Sequence, residues 1–396
     1  MVNKSEIPFT FENSSNPWLM DSKTDDRCIM INGNKITAKY LWTLNCAERQ
    51  KCLDDVFKYY RINGFPYEHY TDDYCIQQFK KLKEYKSTKV ISPTGEISNN
   101  GNLCLDVCRH FCADKFWKAS NETMDSIEDI FYNDEYFRNV LKNRMGWNTT
   151  KEGTKDGEPE RPYLFEITDT MIRSGIRNSA NGYGVSNFRP TIAKFVYEKY
   201  LSNINHPIIL DYSGGWGARA LAAASLGYDY YGIDPLTATN INTIGEFLHN
   251  KCEVNSIIKC IESGSEIEDA YINIPKVNMA MSCPPYFNLE VYDKSESQSY
   301  IKYNNFNSWI ENYWEPTVVN CTNKIKDDGY FVLIMKDEYN KLPLIASMQP
   351  IIEKYDFRLI DDYVYKTNQS HLSGKVKSKK VTKSNEHILV FKHEHE

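Results

Sequence analysis

Several large classes of protein are excluded by what this chain of 396 residues lacks. No stretch approaches the ~18 consecutive apolar side chains of a membrane span. No apolar core follows the polar start MVNKSEIPFTFENSS, so no secretory leader is read there. The eleven cysteines are an odd number; without a leader they predict reduced thiols in an intracellular chain rather than a disulfide framework. Three of them, Cys104, Cys108 and Cys112, lie near His110 in CLDVCRHFC. That spacing matches no common zinc finger, and steps of four predict one buried helix face. Positive charge is not in excess either. Lys and Arg total 47 against 53 Asp and Glu, for a formal charge of −6. A protein that coats nucleic acid is thereby excluded, and any phosphate contacts must be concentrated locally. There is no internal repeat and no long low-complexity tract.

What is present reads as a soluble globular protein with 41% hydrophobic and 25% charged residues. The length predicts two domains. Residues 1–165 read as a mainly helical N-terminal domain. An amphipathic helix over 47–63 is stopped by Gly64-Phe65-Pro66, a second helix covers 74–85, and a third covers 104–119. The polar stretch 148–161 (NTTKEGTKDGEPER) reads as a linker or exposed loop. The 28 tyrosines are read mostly as half-buried packing residues.

From residue 166 to 396 the pattern becomes that of an α/β domain. Pro190 opens a helix that runs to Leu201. Strands follow at 207–210, 228–233, 257–261, 277–281 and 331–335, the last after a turn at Asp327-Asp328-Gly329. Residues 358–365 and 387–391 read as the arms of a terminal antiparallel hairpin. Strands alternating with helices predict a doubly wound, Rossmann-like sheet.

Two motifs carry chemistry. Asp211-Tyr212-Ser213-Gly214-Gly215-Trp216-Gly217 ends one strand and opens a helix. In a doubly wound sheet that is where a nucleotide-like ligand binds, and glycine lets the backbone approach it. The next strand ends in Asp234, placed to accept hydrogen bonds from ribose hydroxyls. The turn lacks G-x-G-x-x-G, the fingerprint of a dinucleotide site. The fourth strand runs into Cys283-Pro284-Pro285-Tyr286. Transfer to an amino nitrogen needs acceptors for the NH2 group, a rigid backbone to aim them and an aromatic face for the planar base. Cys283 and the Pro284 carbonyl suit the first need, Pro285 the second and Tyr286 the third.

Here the sequence resembles the class I S-adenosylmethionine-dependent amino-methyltransferases, particularly the DNA adenine-N6 and cytosine-N4 enzymes. Their motifs are an Asp-x-Phe-x-Gly-x-Gly type turn and Asp, Asn or Ser followed by Pro-Pro and an aromatic. The resemblance covers Asp211 to Gly217, Asp234 and Cys283 to Tyr286, over about half the chain. It extends to Phe188-Arg189-Pro190, like the segment that closes over the methionine end of the cofactor. It implies a seven-stranded methyltransferase sheet that binds S-adenosylmethionine. Asp211, Ser213, Gly215, Gly217 and Arg189 would surround the cofactor, Asp211 near its methionine moiety. Asp234 would hold the ribose and Ser265 the adenine, with Ser263 or Glu266 as alternatives. The expected partner is DNA, with RNA or a protein amide open. The chain departs from the family pattern at Cys283, since a thiol accepts hydrogen bonds poorly beside a carboxylate or hydroxyl.

Two stretches are left. Residues 288–299 are polar and read either as a substrate-touching loop or as a solvated one. Lys375, Lys377, Lys379, Lys380 and Lys383 join the terminal strands with no acid among them, an arm able to contact phosphates. Only about 65 residues separate the cofactor turn from the Cys-Pro-Pro-Tyr element, so target reading falls to residues 1–165. The alternative function is a non-catalytic, methyltransferase-like binding subunit, which the Cys283 departure favours and the cofactor-contact residues oppose.

Overall fold

The computed structural model describes residues 9–13, 27–31, 34–36, 38–92, 96–97, 101–145, 167–289, 291–365 and 386–394. The 148–161 stretch and the five lysines of 375–383 lie outside the described residues. The chain forms two compact units, each assembled from two stretches: 1–74 with 117–185, and 75–116 with 186–396. The expected split at residue 165 thus becomes a discontinuous one, with 75–116 folded into the sheet unit. No helix among the described residues is long and apolar enough to cross a membrane.

The first unit is mainly helical, as expected. Helices Cys46–Asn63, Ile127–Tyr132, Asp134–Arg144 and Asp169–Ser179 enclose Leu53, Val56, Tyr60, Phe131, Phe137, Ile172 and Ile176. Asn45 and Glu48 form a reciprocal capping box at the first helix, which Gly64 ends. Sequence reading did not anticipate a small antiparallel sheet of β1 (Phe9–Asn13), β2 (Arg27–Ile31) and β3 (Asn34–Lys35).

The second unit is built on seven strands: β4 (Ile208–Asp211), β5 (Asp229–Ile233), β6 (Ile258–Ile261), β7 (Val277–Ser282), β8 (Ile325–Lys336), β9 (Phe357–Tyr365) and β10 (Glu386–His393). Their spatial order is β6-β5-β4-β7-β8-β10-β9. Strands β4 to β8 are parallel, while β10 runs antiparallel to both β8 and β9. The expected hairpin is therefore present, with its second arm inserted between β8 and its first. The expected turn at 327–329 lies inside β8, as a bulge. Val277 pairs with Ile325 but Met279 with Tyr330, and Asp328 takes a left-handed φ of 59°.

Alternation along the strands divides the core. Leu210 and Tyr212 face Trp314, Val318, Phe331 and Met348 on one side. Asp211 and Tyr230 face the other, where helices Pro190–Leu201 and Ala218–Leu226 pack. In the 75–116 stretch Cys104, Cys108 and Cys112 are all fully buried. Their helix is short, Leu105–Phe111, with the two outer cysteines at its ends.

The turn into helix Ala218–Leu226 depends on Gly217, at φ 79°. A Cβ there would also lie 2.7 Å from Ile244 Cδ1. Gly217→Ala is expected to cost about 1–2 kcal/mol, read as a fall of a few degrees in Tm; an unchanged Tm contradicts this account of the turn.

Candidate active site

Strand order reverses at β4, whose neighbours β5 and β7 lead in opposite directions along the sheet. Such a switch point leaves a crevice at the carboxyl ends of the strands, where ligands of open α/β sheets bind. Both motifs end at this crevice, one on β4 and the other on β7.

Asp211 sits beneath it, with no exposed surface. Its carboxylate accepts from Arg219 Nε at 2.8 Å, Tyr230 Oη at 2.7 Å, Ser282 Oγ at 2.7 Å and the Ser213 N–H at 3.3 Å. Burial alone would lower the Arg219 pKa, but the Asp211 charge outweighs it and holds the guanidinium above its ordinary range. Arg219 also donates to the Ser213 carbonyl, and the ring of Phe188 lies 5.5 Å from its guanidinium carbon. Every position of the Asp211 carboxylate is thus used within the protein. Asp211, expected beside the methionine moiety, frames the crevice from below.

The crevice itself is a half-open cleft at the carboxyl ends of β4, β5 and β7. Of the residues expected at the cofactor and target, Ser213, Gly215, Asp234, Ser265, Cys283 and Pro285 line it. Asp234 is 8% exposed. It accepts from the backbone N–H groups of Gly215 at 2.9 Å, Leu236 at 2.9 Å and Thr237 at 2.8 Å. The Thr237 side chain adds a further hydrogen bond to it. Burial raises the Asp234 pKa, and these N–H donors only partly offset that. At the far wall the Ser265 hydroxyl is shared with Thr317 Oγ1 at 3.0 Å. Glu266 also lines the cleft, its carboxylate held by Lys302 Nζ at 2.8 Å. Ser263 bonds the neighbouring Gly264 carbonyl.

Other expected residues stand back from the wall. Gly217 is the helix cap. Arg189 caps helix Pro190–Leu201 and donates to the Gly101 carbonyl at 3.3 Å and to Asn102 Oδ1. Pro284 is buried. The Tyr286 ring packs on the core beside the cleft, with Lys336 Nζ 5.4 Å from its centroid, and its hydroxyl meets Cys283 Sγ at 3.3 Å. His387 lies between Asp337 at 3.0 Å and Asp362 at 2.8 Å.

Residues outside the motifs complete the wall. The polar stretch after Tyr286 folds onto it through Tyr292, Ser297, Gln298 and Tyr300. Tyr292 meets Trp216 edge to face, centroids 5.8 Å apart. Tyr313 reaches the cleft from a π-helical turn, Ile310–Trp314, and stands 3.4 Å from Ser213 Oγ. Single π turns cluster at functional sites, but no motif or spacing announces this one.

No family model matches the chain, and no curated protein does. Solved structures match at low identity. TrmN from Thermus thermophilus aligns over 52% of this chain at 13% identity, with a TM-score of 0.33; the match spans 48% of that chain, about half its length. Magnesium protoporphyrin IX methyltransferase (ChlM) from Synechocystis PCC 6803, solved with bound SAM, aligns over 57% of this chain and 96% of its own, at 11% and 0.34. The Thermus thermophilus 16S rRNA N2 G1207 methyltransferase (RsmC), solved with AdoMet and guanosine, aligns over 54% and 44%, at 13% and 0.31. The fold class rests on the strand order itself: a Rossmann-like α/β sheet of the seven-stranded methyltransferase type, with one antiparallel strand.

Two measurements test the site. Asp211→Ala strands a buried guanidinium and is expected to cost about 3–5 kcal/mol in chemical denaturation, of which Asp211→Ala with Arg219→Met recovers part; a cost below about 1 kcal/mol contradicts the framing role. A ribose hydroxyl on Asp234 would be held more strongly by the carboxylate than by the neutral acid, and burial raises the Asp234 pKa. Affinity for an adenosine ligand should therefore be full at neutral pH and fall at a higher pH than the ~3.9 of an ordinary aspartate would give; in Asp234→Asn calorimetry should show weak, pH-independent binding. A pH dependence that survives Asp234→Asn contradicts this.

Proposed function

We propose that the chain is a methyltransferase that moves a methyl group from S-adenosylmethionine to an exocyclic amino group of a nucleic-acid base, adenine N6 or cytosine N4 in DNA. The observation that carries the reading is that one cleft is lined both by the cofactor-type residues, Ser213, Gly215 and Asp234, and by Cys283 and Pro285. A ligand whose ribose rests on Asp234 would lie alongside the element suited to hold an amine.

The donor set suits this cofactor. Asp234 offers an acidic acceptor at the cleft wall, the left-handed Gly215 opens the backbone to close approach, and Trp216 and Tyr313 supply aromatic walls. When bound, S-adenosylmethionine supplies an electrophilic methyl, which the amino nitrogen takes as the carbon–sulfur bond breaks with its electron pair left on sulfur. Cys283 would hold the amine with its lone pair out of conjugation. The amino proton then leaves to solvent, which needs no strong base. In duplex DNA the base must be extruded to reach the cleft. The five lysines between 375 and 383 would contact phosphates.

The test incubates the full chain with methyl-labelled S-adenosylmethionine and DNA, RNA or protein, and identifies the methylated nucleoside or residue by mass spectrometry. Label in N6-methyladenine or N4-methylcytosine is expected, and Cys283→Ser should retain or raise turnover. Label only in RNA or a protein amide overturns DNA as substrate. Cofactor binding without label in any polymer favours a non-catalytic subunit. Equal loss in Cys283→Ser and Cys283→Ala contradicts the role given to that position.

A further inference from the structure

Among the described residues, a hydrogen-bonded chain runs from Cys283 at the cleft through Tyr286 to Glu386 in the sheet, a residue given no role above. Cys283 Sγ lies 3.3 Å from Tyr286 Oη, and Tyr286 Oη lies 3.3 Å from Glu386 Oε1. Glu386 opens β10, opposite Lys336 on β8, and is 9% exposed. Cys283 and Tyr286 belong to one motif, and the antiparallel insertion of β10 beside β8 brings the distant Glu386 to them.

The chemistry of the three groups fixes the direction of the chain. A carboxylate accepts only, so the Tyr286 hydroxyl donates to Glu386. The hydroxyl oxygen is then left as an acceptor, and the Cys283 thiol donates its S–H to it. That turns the sulfur lone pairs away from Tyr286. Bonds in such a chain polarise one another, so the sulfur becomes a better acceptor than an isolated thiol. The Cys283 departure from Asp, Asn or Ser thereby acquires a compensating partner two strands away.

We infer that Glu386 is a positioning residue: through Tyr286 it orients the Cys283 thiol so that sulfur lone pairs face the substrate amine. The inference rests on the methyl-transfer reading for its purpose, but the chain of three groups is testable without it. The charged groups near it are Glu386 on β10, Lys336 above the Tyr286 ring and Arg219, whose charge interacts with Cys283.

The experiment follows the rate of Cys283 alkylation by iodoacetamide against pH in the full chain, with the modified peptide identified by mass. Wild type is compared with Tyr286→Phe and Glu386→Gln. An acceptor for the S–H favours the thiol, so both variants should shift the profile to lower pH. A shift to higher pH in Tyr286→Phe means that the hydroxyl donates to sulfur, and overturns the inference; so does an unchanged profile in both. If the wild type methylates, Glu386→Gln should lower kcat about tenfold, the scale of one lost hydrogen bond, with the KM for S-adenosylmethionine unchanged. A loss confined to KM also overturns it. Profiles that shift in a protein that methylates no polymer sink the methyl-transfer reading and leave the three-group chain standing.

Discussion

The sheet unit depends on one buried carboxylate. Asp211 ends β4 with no exposed surface, and its partners come from the turn after β4, helix Ala218–Leu226, β5 and β7. A lone charge in that position would be prohibitively costly to bury. With a guanidinium and two hydroxyls around it, the cost is offset only in a single arrangement of the four elements. Such a pair is a weak source of net stability. Its contribution is geometric: the Gly-rich turn and the end of β7 cannot shift independently while both are bonded to one carboxylate.

That constraint explains why the two motifs meet. Ser282, the residue before Cys283, bonds Asp211 and the carbonyl of Ser213 at 3.0 Å. Cys283 is thereby placed at the mouth of the turn, while Gly215 bonds Asp234 across the same cleft. The rest of the wall comes from later chain: the stretch after Tyr286 and the π turn that carries Tyr313. Hydrogen bonds beneath a cleft of this kind fix the rotamers of the side chains that line it.

Local patterns carried most of the sheet unit. Proline at the start of helix Pro190–Leu201, apolar runs for β4 to β7 and the acid ending β5 each report a short-range requirement, and the structure has them within a residue or two. Long-range placement was less legible. Asp211 reads as a ligand contact because an acid before a glycine turn looks the same whether it faces the cleft or Arg219. Asp327-Asp328-Gly329 reads as a turn because polar residues with glycine serve a bulge equally well. The return of 75–116 to the sheet unit leaves no local mark, since its helices resemble those of the first unit. Tyr313 and Glu386 depend on a π turn and on strand insertion, and neither has a sequence signature.

The central claim is that one ligand spans Asp234 and the Cys-Pro-Pro-Tyr element. A crystal structure of the full chain with S-adenosylhomocysteine tests it most directly. The account predicts a ribose hydroxyl on the Asp234 carboxylate, the thioether sulfur facing Cys283 and Pro284, and an Asp211–Arg219 pair unchanged from the 2.8 Å seen here. A ligand bound elsewhere, or one whose sulfur points away from Cys283, would contradict it.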